Sequence, residues 1–178
     1  TLSSVPTPTA DITAKEITGT FTAGNKVYDG TNAATIGTRT VTPIAADAGN
    51  LTLTGGTATF NNANVGTGKT VTATGMTLSG SAAANYTLTS VSTTTADITA
   101  KEITGTFVAS NKVYDGTNAA TITSRTVTPL TVDAGNLTLT GGTATFSNAN
   151  VGTGKTVTAT GMTLSGSAAA NYTLTSVS

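Results

Sequence analysis

Apolar residues recur at every second position along most of this chain, the spacing of a strand that turns one face inward. Ile17-x-Gly19-x-Phe21, Leu51-x-Leu53, Val71-x-Ala73 and Tyr86-x-Leu88 are such runs. Threonine fills the opposite phase at Thr18, Thr20, Thr52, Thr54, Thr70, Thr72, Thr87 and Thr89. Threonine is β-branched and tolerates a wet pleated surface, so it suits the solvent side of a sheet. No window keeps helical spacing over three turns, and helix is confined to a short stretch near Ser81 to Ala84. The breaks carry turn chemistry: Asp29-Gly30, Gly49-Asn50, Gly55-Gly56, Gly66-Thr67-Gly68 and Ser79-Gly80. LTLT-GG-TATF (51–60) predicts a compact hairpin, because paired glycines accept the positive φ of primed turns. Gly75 interrupts the strand at 69–78 and shifts its apolar phase, which predicts a bulge.

The pattern repeats. ADITAKEITGTF at 10–21 returns at 96–107, and the offset of 86 holds without a gap to the end. Of the 83 aligned positions, residues 10–92 against 96–178, 75 are identical. The eight differences are Thr22/Val108, Gly24/Ser110, Gly37/Thr123, Thr38/Ser124, Ile44/Leu130, Ala45/Thr131, Ala46/Val132 and Asn61/Ser147. Most fall at 37–46, which reads as a tolerant loop or edge. An 86-residue period exceeds a solenoid turn and suits a small domain. Thr1-Leu2-Ser3-Ser4-Val5 aligns at the same offset with Thr87-Leu88-Thr89-Ser90-Val91, so residues 1–9 read as the tail of a preceding copy. The first copy is then 10–95 and the second 96–178, with the junction somewhere in 92–101. Either a strand ends in ADITAKEIT while the next begins, or the boundary lies in Ser92-Thr93-Thr94-Thr95. Neither is a flexible Gly/Ser tether, so a stiff joint is expected.

Composition narrows the function. The 178 residues carry 8 Lys+Arg, 8 Asp+Glu, and no His, Cys or Trp, while 46 Thr and 13 Ser make a third of the chain hydroxylated. Zinc fingers, Cys or His nucleophile–base catalysis and haem ligation need residues that are missing. Nucleic acid is not expected as a partner, since neutralising phosphates takes a basic surplus. No apolar stretch reaches membrane-spanning length and no signal peptide opens the sequence, so no membrane insertion is expected. An extracellular, uncharged β protein fits what is left.

The most distinctive word is Lys26-Val27-Tyr28-Asp29-Gly30-Thr31, repeated as Lys112 to Thr117. Tyr28, Asp29, Gly30, Tyr114, Asp115 and Gly116 read as structural, an Asp-Gly turn locked by a half-buried Tyr and a Val; the competing reading presents Asp29 and Lys26 to a ligand. KVYDGTNAAT, followed in order by DAGNLTLTGGTATF, NANVGTGKTVTATGMTLSG and AAANYTLTS, resembles the YDG repeat domain. That family occurs in tandem in large bacterial surface exoproteins, including filamentous-haemagglutinin-like adhesins. The resemblance implies a cell-surface adhesin stalk of β domains and brings no catalytic residues with it.

Other chemistry finds little footing. Each copy has four carboxylates, Asp11, Glu16, Asp29 and Asp47 in the first, and no DxDxD cluster. A junction calcium would have to draw on Asp11 and Glu16 with backbone carbonyls. Two carboxylates suffice for glycoside hydrolysis, but aromatics are 4% of the chain and the cores need them. A Lys–Asn isopeptide crosslink would use Lys15, Lys26 or Lys69, and the spacing selects no partner. The N-x-[ST] words at Asn50, Asn85, Asn136 and Asn171 do not exceed chance in so Ser/Thr-rich a chain. The Thr-x-Thr rows lack the short coil that stacks an ice-binding face.

The expectation is therefore an all-β protein of two tandem small β-sandwich-like, antiparallel domains arranged end to end. No metal site, cofactor or enzymatic activity is expected. The role is a spacer that projects a distal binding region from a bacterial surface. The alternative makes each copy a weak glycan or receptor binder that acts by avidity. Expected partners are the neighbouring repeats of the same chain, with an unidentified host receptor or glycan left open, and the chain should be a monomer.

Overall fold

The structure is a computed structural model and describes residues 7–178. The stretch assigned to a preceding repeat falls partly on residues 1–6, which lie outside the described residues.

Strands β1 (Lys15–Ala23), β2 (Lys26–Val27), β3 (Ala33–Ala34), β4 (Ile36–Val41), β5 (Thr52–Phe60), β6 (Gly66–Ser79) and β7 (Tyr86–Val91) come from the first copy. The stretch expected as a linker is itself a strand, β8 (Thr94–Thr99). β9 (Lys101–Ala109), β10 (Ala119–Ala120), β11 (Ile122–Val127), β12 (Thr138–Phe146), β13 (Val157–Ser165) and β14 (Tyr172–Val177) complete the second copy. The protein is all-β, and among the described residues helix is limited to single 3-10 turns such as Ala83–Asn85, beside the short stretch the sequence allowed.

The same three-stranded sheet recurs in each copy, β4-β1-β7 and β11-β9-β14. The central strand pairs antiparallel with one neighbour and parallel with the other. The parallel pair departs from a purely antiparallel fold, and it joins the first and last strands of the copy. The second sheet is β10-β12-β13 in the second copy, whereas its first-copy counterpart is extended to β2-β8-β6-β5-β3.

Sandwich packing is explicit in one apolar cluster. Ile17 and Tyr86 from the first sheet meet Leu51, with Val41, Leu78, Ala82, Ala83 and Leu88 around them. Gly19 marks the closest approach of the layers, since a Cβ there would lie 2.7 Å from Leu53 Cδ2; Gly105 repeats this under Leu139 at 2.6 Å. Any side chain at either position would have to push the leucine out of the core.

Gly55-Gly56 does not turn a hairpin. β5 continues through both residues, which kink it at φ +69° and +82°. Nor does Gly75 insert a residue. In the second copy Gly141 pairs with Met162 and Thr143 with Thr160, so the register is unchanged on either side of Gly142 and its facing Gly161. The apolar phase switches without a bulge because facing glycines take positive φ on both strands, at +81° and +72°. Buried Leu137 and Leu139 thus precede the kink while buried Ala144 follows it in the other phase. Arg125 Nε donates to the Gly141 carbonyl at 2.8 Å, as Arg39 Nε does to Gly55 at 2.9 Å.

The chain forms two compact units whose borders differ from those of the sequence copies. One takes the chain as far as Gly24, then Ala34–Thr59 and Thr70–Thr95; the other takes Asn25–Ala33, Phe60–Lys69 and Ala96–Ser178. Two loops of the first copy, including its KVYDGT word, therefore belong with the second copy.

Candidate functional site

The KVYDGT word is a closed polar turn. Asp29 Oδ1 accepts from Thr31 N at 2.8 Å, Thr31 Oγ1 at 2.9 Å and Lys26 Nζ at 2.7 Å. Lys26 Nζ also donates to the Thr31 carbonyl at 2.7 Å and lies 5.8 Å from the Phe60 ring centre. Gly30 sits at φ +79°, which glycine adopts without strain. Partial burial would raise the Asp29 pKa, but the hydrogen bonds from Lys26 and Thr31 outweigh it and bring it down to about 2. The second word repeats these bonds through Lys112, Asp115 and Thr117, and the Lys112 hydrogen bond leads in bringing Asp115 to about 2. With Asp and Lys satisfying each other in both copies, neither turn presents a free charge.

The two tyrosines differ completely. Tyr114 is 63% exposed, whereas Tyr28 is buried. Tyr28 OH donates to Asp133 at 3.0 Å, and its ring meets Tyr172 edge-on, with centroids 5.6 Å apart. Tyr172 OH donates to the same carboxylate at 2.6 Å and accepts from Leu130 N at 3.0 Å. Burial first, and then the bond to Asp133, push the Tyr172 hydroxyl up to about 12 and raise that of Tyr28. Nearby, Asn171 Oδ1 accepts from Val65 N at 3.0 Å. Gly30 turns beneath Val132, which any side chain at 30 would strike. The loop that sequence comparison read as tolerant is here a packing surface: Leu130 and Val132 are two of the eight differences between copies, and both line this contact.

Among the described residues, the corresponding group in the first copy is less covered. Tyr86 OH donates to Asp47 at 2.7 Å and accepts from Ile44 N at 3.1 Å, yet Asp47 is only half-buried while Asp133 is buried.

Strand β8 completes the site. It pairs parallel with β2, Lys26 opposite Ile98 and Val27 opposite Thr99. Tyr28 N donates to the Thr99 carbonyl at 2.8 Å, and Asp97 accepts from Gly68 N at 2.8 Å while its own N–H reaches Asn25 Oδ1 at 2.7 Å. Ile98 and Phe60 are each 1% exposed. In the second copy the same positions line an open groove of about 730 Å³ between Ala109–Thr117 and Phe146–Val157. Val113 and Val151 stand 89% and 88% exposed at it. Neither 112–113 nor 152–156 is strand there, although 26–27 and 66–70 are, because no strand lies between them to pair with.

A family model described as the YDG domain matches residues 13–96 and 99–178. The chain belongs to the YDG domain family. No curated protein and no solved structure matches it. Of the YDG residues singled out in the sequence, Tyr28, Asp29 and Gly30 sit in the packed site, while Tyr114, Asp115 and Gly116 form the same turn in the open. Asp133, Asn171 and Tyr172 were missed, and so was Ile98. The only signal for them was identity at offset 86 to Asp47, Asn85, Tyr86 and Ile12. Among the described residues, no three carboxylates gather as a metal site would require. Lys69 donates to Asn62 at 2.7 Å as an exposed hydrogen-bonded pair.

Proposed function

We propose that these YDG repeats are structural spacers, stalk segments of a bacterial cell-surface adhesin that hold a distal binding region away from the cell. One observation carries this reading: the first and last strands of each copy are parallel neighbours, β1 beside β7 and β9 beside β14. Tension enters at the start of one strand and leaves at the far end of the other, so it loads their evenly spaced hydrogen bonds together, in shear. An antiparallel terminal pair would instead open one bond at a time. The threonine-coated, charge-poor surface supports the reading, since it offers neither a charged field nor extended apolar patches.

Pulling the chain by its two ends should unfold each copy at a force well above that needed when the same pair is pulled open from one end. Each event should release up to about 290 Å of contour for 86 residues. Equal forces in both directions would defeat the proposal. The open groove of the second copy favours the alternative, a weak glycan- or receptor-binding module acting by avidity. Saturable glycan binding that loads that groove would support it.

A further inference from the structure

We infer that Tyr28 and Tyr172 form an oxidative crosslinking site, at which a one-electron oxidant joins the two rings through a carbon–carbon bond. The oxidant's class is a haem peroxidase supplied with hydrogen peroxide. The inference goes beyond the spacer reading and stands without it.

Composition decides where an oxidising equivalent settles. The chain has no Cys, Trp or His, so its four tyrosines are the side chains that give up an electron and a proton together. The two methionines take oxygen from peroxide and do not couple. Two of the four tyrosines are in contact, and both belong to one compact unit despite their distance along the chain. Their ring centroids lie 5.6 Å apart with 76° between the planes. Both hydroxyls converge on one atom. Asp133 Oδ2 accepts from Tyr28 at 3.0 Å and from Tyr172 at 2.6 Å, while Oδ1 accepts from Tyr28 at 3.2 Å. Edge-on aromatic pairs are ordinary core packing. What sets this pair apart is the shared carboxylate, a proton acceptor already bonded to both phenols.

Each ring loses one electron to the oxidant and its hydroxyl proton to Asp133, which passes the proton on to water. Burial and the bond to Asp133 hold both hydroxyls above their ordinary value, so no phenolate forms beforehand and the two particles leave together. The resulting phenoxyl radicals pair at ring carbons ortho to oxygen. Each of those carbons then gives up its hydrogen as a proton to a phenol oxygen, which restores both hydroxyls. Two electrons and two protons leave in all, and they reduce one hydrogen peroxide to two waters. The product ties the KVYDGT loop covalently to β14, so a crosslinked chain pulled from its ends would release no length between residues 28 and 172.

The test uses dilute whole chain carrying Tyr114→Phe, because Tyr114 is 63% exposed and would couple between chains. Irradiated with ruthenium tris-bipyridyl and persulfate, a one-electron oxidant, it should acquire dityrosine fluorescence and still run as a single chain on a denaturing gel. Trypsin cuts after Lys26, Arg39 and Lys155, so Val27–Arg39 and Thr156–Ser178 should come off joined, two hydrogens lighter than their sum. Tyr28→Phe and Tyr172→Phe each keep the ring and should abolish that product. Asp133→Asn keeps a hydrogen-bond acceptor but loses the base, and should slow coupling about a hundredfold. Absence of the joined peptides, coupling through Tyr86 instead, or an Asp133→Asn chain that couples as fast as the parent overturns the inference.

Discussion

Two copies of nearly one sequence are found in opposite states. In the first, the groove beside KVYDGT holds a strand, Phe60 is 1% exposed and Tyr28 is buried on Asp133. In the second, the groove is open, Phe146 is only half-buried and Tyr114 stands 63% exposed. The residues that hold the strand in the first copy, Asn25, Lys26, Val27 and Gly68, are identical in the second at Asn111, Lys112, Val113 and Gly154, and of the groove lining only Ser110 departs from its counterpart, Gly24. What differs is whether an Ala-Asp-Ile-Thr segment has been laid into the site. In this chain the first copy completes its core with polypeptide from the second.

The sharpest way to break that comparison is to change the same residue in the filled and the empty setting. Ile98→Asp places an unpaired carboxylate in a fully buried site and should cost at least about 4 kcal/mol of stability. Ile12→Asp, on bare solvent, should stay within about 0.5 kcal/mol in dilute protein. Urea denaturation of the two variants reads both values; equal losses would mean that β8 is not a core strand.

Gly30→Ala comes next. It imposes a positive φ on alanine and drives its Cβ into Val132, so a loss of about 2–4 kcal/mol is expected. Gly116→Ala meets the same backbone penalty with no atom within 4 Å, and should lose only about 1 kcal/mol. Thermal unfolding distinguishes the two, and matching shifts would remove Val132 from the contact.

The smallest effect belongs to the tyrosine hydroxyls. Tyr28→Phe removes one donor from a buried carboxylate that still keeps Tyr172, and should cost about 1–2 kcal/mol. Tyr114→Phe, whose ring is exposed, should be neutral by the same denaturation assay.

Much of the architecture was readable from the residues. The Ile17/Gly19/Phe21 alternation marks β1, the Leu51/Leu53 pair opens β5, and threonine in the opposite phase marks the wet face. Gly55-Gly56 misled because positive φ serves a tight turn and a kinked strand equally well. Only the pairing partner decides between them, and here a third glycine faces the kink across the sheet. The parallel pairing of terminal strands leaves no local signature, since it depends on residues some 70 positions apart. For the site, the KVYDGT turn was legible as structural because its bonds are made within six residues. The burial of Tyr28 was not, because Asp133 lies 105 residues away and the identical Tyr114 has no such neighbour. Likewise, ADIT reads the same at 10 and at 96, and no pattern of residues says which one is covered.

The borders of the compact units have a practical consequence for where this polypeptide can be cut. Cleavage between Thr95 and Ala96, at the edge of the sequence copies, would strip Ile98 and its neighbours from the amino-terminal piece and bare Phe60 to water. The carboxy-terminal piece would keep that segment, cut off from the strand β2 it pairs with. The length of chain that can be excised cleanly is therefore longer than one period, and anyone trimming such a protein for expression should retain the first six or so residues of the following repeat.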